Sequence, residues 1–137
     1  MKRVVLVVLS LTGFFIMSCS SVNLNYSQPA FDKPNSYVID SQSTPGKLKD
    51  RVRLINQTSE ANISFMIYMH EPSMNVWVNY GTARLTGTGD TAYISSNLSG
   101  KLSNYRYFAI ESLQDTVYNY NYSKRSNDLH ITILNRN

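Results

Sequence analysis

From Arg51 onward, apolar side chains recur at every second position in short runs, and glycine, proline and small polar residues separate the runs. Successive side chains of a strand point to opposite faces, so each run offers one apolar face to a core. The runs are Arg51–Asn56, Ile63–His70, Asn75–Tyr80, Ala83–Thr86, Thr91–Ser96, Tyr105–Ser112, Thr116–Tyr122 and Asp128–Asn135. Val52 and Leu54 share a face. So do Ile63, Phe65, Ile67 and Met69, then Phe108 and Ile110, then Leu129, Ile131 and Ile133. The stretch "ISFMIYM" (63–69) is apolar on both faces, which suits a central strand.

The connections carry turn chemistry. Pro72 lies in "EPSM", Gly87 and Gly89 in "TGTGDT" predict a hairpin, and "SKRSND" is a short polar link between the last two runs. Gly81 is placed to kink one long strand into two. No helical period is convincing in this region, and Leu98–Leu102 has room for one turn at most. The expected fold class is all-β: an antiparallel β-sandwich, or a small barrel, of about seven or eight short strands over residues 50–137.

The N-terminus has a different texture. Lys2 and Arg3 precede an apolar stretch from Val4 to Met17, and small Ser18 precedes Cys19, the one cysteine of the chain. A basic start, an apolar core and a small residue are the layout of a secretory signal. A spanning helix needs about 20 residues, so this stretch is short for a permanent anchor. Ile16-Met17-Ser18-Cys19 resembles the lipobox of bacterial lipoproteins, with Met17 a mild departure from the pattern. The resemblance covers the signal and the attachment point. It implies cleavage after residue 18, diacylglycerol on Cys19 and further acylation of the new amino group with a chain such as palmitate. Ser20 stands where an Asp would retain the protein at the inner membrane, so the expected location is the cell envelope, at the outer membrane. Each buried CH₂ contributes about 0.8 kcal/mol, so two or three acyl chains hold firmly where one does not.

Composition bounds the remainder. Loss of Lys2 and Arg3 with the signal leaves 11 basic residues against nine acids. The densest basic stretch, "KLKDRVR" (47–53), is interrupted by an acid and by apolar residues, so nucleic acid is not an expected partner. A lipidated Cys19 leaves no thiol for a disulfide, and the fold must rest on its core alone. Residues 19–49 carry the attachment site and then Pro29, Pro34 and Pro45 among frequent Ser, Asn and Gln. They read as a flexible tether with room for one short strand at Tyr37–Asp40. The alternative is an irregular arm in which Val22, Leu24, Phe31 and Val38 pack onto the domain.

Candidate chemistry is sparse. His70 and His130 stand in the phase opposite the apolar set and lack ligands at metal spacing, so they read as solvent-facing or rim residues. No G-x-S-x-G elbow occurs, and "SGKLS" (99–103) departs from a phosphate loop at its first glycine and after Lys101. The acids scatter near turns, except Glu111, which sits within a strand and can pair with a neighbouring Lys or Arg. No catalytic residue, metal site or cofactor is expected. In "VYNYNYS" (117–123), Tyr118, Tyr120 and Tyr122 share one strand face. Such a row suits stacking of sugar rings or protein binding, and with Trp77 it forms the candidate binding face. The competing reading, favoured by the Asn residues opposite, is that the tyrosines are the core face of their strand. Trp77 on the third run weakly resembles the core Trp of immunoglobulin-like and fibronectin-like sandwiches, although their cysteine pair is absent.

The functional expectation is a non-enzymatic, membrane-anchored binding or structural module of the cell envelope. Its partners would be membrane lipid through Cys19 and an envelope protein or glycan. The alternatives are a small hydrolase of envelope polymers, or an assembly subunit that adds a strand to a partner's sheet.

Overall fold

A computed structural model describes residues 27–49, 51–95 and 102–137. Cys19, the lipobox, Val22 and Leu24 lie outside the described residues, as does most of "SGKLS".

Among the described residues, eight strands form two four-stranded sheets. They are β1 (Ser36–Asp40), β2 (Arg51–Gln57), β3 (Ile63–Glu71), β4 (Val76–Leu85), β5 (Thr91–Ser95), β6 (Tyr107–Ser112), β7 (Asn119–Arg125) and β8 (Asp128–Leu134). The first sheet has the order β1-β6-β3-β4 and the second β5-β2-β8-β7. The chain is therefore all-β with a two-sheet, sandwich-like architecture. Every pairing is antiparallel except that of β2 with β8, which is parallel. Among the described residues no helix is long and apolar enough to cross a membrane.

The core follows from the period of two. Ile63, Phe65 and Ile67 of β3 face Val52 and Leu54 of β2 and Leu129, Ile131 and Ile133 of β8, each at most 1% exposed. Fully burying an aliphatic or aromatic side chain contributes about 1.5–3 kcal/mol, so this layer supplies the cohesion that no disulfide provides.

Three local expectations change. First, β4 runs unbroken through Gly81, because a bulge and not a break absorbs the irregularity. The register passes from Ile67 opposite Gly81 to Tyr68 opposite Asn79, which makes Tyr80 the extra residue and turns it inward. Its hydroxyl donates to Ile94 O of β5 at 3.1 Å. A Cβ on Gly81 would lie 2.5 Å from Ile94 Cγ2, so the sheets close on each other at this corner.

Second, "TGTGDT" is a crossover between sheets and not a hairpin. Asp90 Oδ2 accepts from Thr86 N and Oγ1, while Gly89 N donates to Asn56 O and Asn56 N to Asp90 O. The loop thereby bonds to β2, and β5 follows it into the second sheet. Asn56 is fully buried beneath the loop and is held by four side-chain hydrogen bonds to Thr58, Glu60 and Gly87. The β7–β8 link, by contrast, is a two-residue hairpin. Ser126 (φ 49) and Asn127 (φ 65) are both left-handed, as a type I′ turn requires.

Third, the folded unit begins before residue 50. β1 pairs along its whole length with β6, and Ile39 and Leu48 join the core. The tether reading is thus corrected over residues 27–49, where the irregular-arm alternative holds for Phe31. That ring packs on Tyr68 and Trp77, with centroids at 4.8 and 5.0 Å. Lys33 Nζ donates to Tyr68 Oη at 2.7 Å and pairs with Glu111 at 3.4 Å, the strand-borne acid expected to find a cation. The arm covers Tyr68 on the outer face of the first sheet, and His70 and Tyr107 pack on each other beside Trp77, so all three are buried although they point away from the core.

Candidate functional site

The arm leaves one end of that face open. Residues 27–30 form one wall of a cleft of about 910 Å³, and the ends of β3, β4 and β6 form its floor. This volume lies within the range of small-molecule sites. β3 and β4 place His70 directly opposite Trp77, and both project outward. The Trp77 indole meets the His70 ring at 5.1 Å and the Phe31 ring at 5.0 Å, both edge-on at 63°. Its Nε1 donates to Ala30 O at 3.0 Å, so the indole is tied to the arm as well as to the sheet.

Polar groups converge from the opposite side. Arg106 reaches back to β1, where its Nε and Nη2 donate to the two carboxylate oxygens of Asp40 at 3.1 and 3.0 Å. Its guanidinium also stands 5.0 Å from the Tyr107 ring centroid. Burial works against ionisation of Asp40, but hydrogen bonds from Arg106 and from the Gln42 amide outweigh it and hold the carboxyl below its usual range. His70 Nε2 is bonded to Asn75 Oδ1 at 2.8 Å. Asn75 holds this position in a left-handed turn conformation (φ 51) between β3 and β4. Ring surface, a guanidinium and side-chain amides suit a polar ligand with one flat face, such as a sugar ring or a peptide group. Among the described residues no three His, Cys, Asp or Glu side chains are grouped to hold a metal ion.

Only one of the four residues expected to form a binding face lines this cleft, namely Trp77. Because it lies on the outer face, it is not the core Trp that the immunoglobulin-like resemblance implies. Tyr118, Tyr120 and Tyr122 sit at β7 in the other sheet, with their rings turned inward against the core. Tyr118 is 4% exposed, packs on Phe65 at 5.6 Å and donates to Glu60 Oε2. Burial, followed by that carboxylate, pushes its phenol pKa up. Tyr120 packs on Phe65 and Tyr37, and burial raises its pKa too. Tyr122 completes the row against Tyr37, with its hydroxyl 3.0 Å from Ser43 Oγ. The row therefore forms the core side of its strand, because the alternative would bury Asn119 and Asn121 and expose three rings.

His70 corrects another expectation. Its strand phase is outward as read, but the arm and its ring neighbours leave it only 8% exposed. Trp77, seven residues away, was the available signal for it. Arg106 and Asp40, 66 residues apart, gave none. His130 also points outward, on the second sheet, where it is partly exposed.

Comparison with protein-family models and with curated proteins finds no match for this chain.

Proposed function

We propose that the chain is a lipid-anchored, non-enzymatic binding module of the bacterial cell envelope, moored through Cys19 at the outer membrane, with the Trp77 cleft as its binding site. The observation that carries the binding role is the position of the arm. The segment that follows the anchoring region is one wall of the cleft and is fastened there through Phe31, Lys33 and the bond from Trp77 to Ala30 O. A pure spacer has no reason to spend aromatic contacts on the sheet behind it. The polar groups around the cleft are bonded to one another, His70 to Asn75 and Arg106 to Asp40. That arrangement favours holding a ligand over activating a nucleophile. The ligand class it fits is a glycan or peptide segment of the envelope.

Two measurements test the reading. The full-length protein should fractionate with membranes and Cys19→Ala should be released; a variant that stays with the membrane refutes the anchor. Envelope glycan fragments or envelope peptides added to the intact protein should change Trp77 fluorescence. No change with either class removes the cleft as a binding site.

A further inference from the structure

The outer face of the second sheet, opposite the cleft, carries a different chemistry. Cross-strand pairing sets its side chains on a grid. One row reads Tyr93, Arg53, His130, Ser123 across β5, β2, β8 and β7. The next row contains Arg51 on β2 and the pair Asp128 and Arg125, which closes the β7–β8 hairpin. These two rows place three arginines and a histidine around a single carboxylate.

That carboxylate is already engaged. Asp128, 3% exposed at its side chain, pairs with Arg51 at 2.9 Å. Among the described residues, neither Arg53 nor Arg125 makes an ion pair. The buried Arg53 Nε has no hydrogen-bond partner among the described residues. Arg51 and Arg53 share one support, the Tyr93 ring, at 5.0 and 5.7 Å from its centroid. The ring holds both guanidiniums in place without neutralising either. On the β8–β7 side lies a groove of about 320 Å³ whose lining includes Ile55, Ser123, Arg125, His130 and Thr132; Arg53 stands outside that lining, opposite His130 across the strands.

We propose that this groove is a binding site for a phosphate-class anion, with Arg125, His130 and Ser123 donating from its lining and Arg53 turning in from the position beside His130 on β2. The strands bearing the two arginines are two inter-strand spacings apart, about 10 Å, and both side chains are long enough to close on a tetrahedral anion between them. A carboxylate is satisfied by one guanidinium fork. A phosphate has oxygens for two guanidiniums together with a hydroxyl and an imidazole. The electrostatics agree. Burial first, then Arg53 and Arg125, lower the His130 pKa against the opposing pull of Asp128, so the site holds surplus positive charge. The phosphate can belong to a free or glycan-borne phosphoryl group or to a lipid headgroup, and the test separates these sources.

The full-length protein in neutral detergent is titrated with inorganic phosphate in one arm and with phosphatidylglycerol in mixed micelles in the other. The ring resonances of His130 are followed by NMR, with His70 as the internal reference. Saturable movement of His130 with inorganic phosphate supports a free or glycan-borne phosphoryl ligand; movement with phosphatidylglycerol alone supports a lipid headgroup. In either case bound anion raises the His130 pKa. Arg125→Gln, an exposed substitution that the fold tolerates, and Arg53→Gln should each weaken binding at least about tenfold, the effect of losing a charge-assisted hydrogen bond. Arg84→Gln, on the other sheet, should leave it unchanged. No saturable movement in either arm, or equal binding by Arg125→Gln and the parent protein, overturns the site.

Discussion

Replacing Phe31 with alanine isolates the contact that fastens the arm. The ring is half-buried and packs on Tyr68 and Trp77 with centroids at 4.8 and 5.0 Å. Two aromatic pairs at about 0.5–1.5 kcal/mol each give about 1–3 kcal/mol. Half of the about 3–5 kcal/mol lost when a fully buried Phe is truncated gives a similar figure by a separate route. These describe the same contacts and do not add, so arm docking weakens by about 2 kcal/mol. That lowers the ratio of docked to undocked arm by about thirtyfold, since 1.4 kcal/mol is tenfold. Lys33 is exposed, and its ion pair with Glu111 contributes little. The chain has a single tryptophan, Trp77, and it lies under the arm, so its fluorescence reports docking without labels. Phe31→Ala should shift the emission to longer wavelength and increase quenching by acrylamide, while the far-ultraviolet circular dichroism stays that of a β protein. The denaturation midpoint should fall by the equivalent of no more than about 2 kcal/mol. Parent-like emission and quenching in the variant would refute the view that Phe31 holds the arm and, with it, the cleft wall.

Two further outcomes are expected. Asn56→Ala removes four hydrogen bonds from a fully buried amide and leaves Thr58 Oγ1 without its acceptor, which should cost about 3–4 kcal/mol in guanidinium unfolding at about 1 kcal/mol per bond. A loss below about 1 kcal/mol would mean that the β4–β5 crossover is held by other contacts. Asp40 has a folded-state pKa below its ordinary 3.8, so its stabilising contribution is present above that value and is lost as pH falls through the folded pKa. Parent protein and Asp40→Asn should therefore differ in urea midpoint near neutrality and converge below pH 3.8; a gap unchanged across that window counts against the Arg106 pairing.

Strand identity was legible from residues alone because the period of two is a local property. The stretches that became β2, β3 and β8 stand almost where alternation put them, and the isolated β-branched and aromatic side chains of their inner faces are the core. Within the Ser- and Pro-rich segment the short strand expected at Tyr37–Asp40 is β1, but its place in the folded unit was not legible, because its pairing with β6 is a relation between positions about 70 residues apart. The tyrosine row shows the same limit. Its period was plain, but whether that face looked inward depended on Phe65 and Tyr37, which lie on other strands.

The sequence by itself determined a helix-poor chain of alternating strands and the residues able to build its core. Tertiary structure alone decided what the outward faces became. The arm turned one into an aromatic cleft around Trp77, and the pairing of β2, β8 and β7 turned the other into a groove lined by Arg125 and His130. The physical reason is that alternation acts between neighbours in the chain, whereas burial and charge act between neighbours in space.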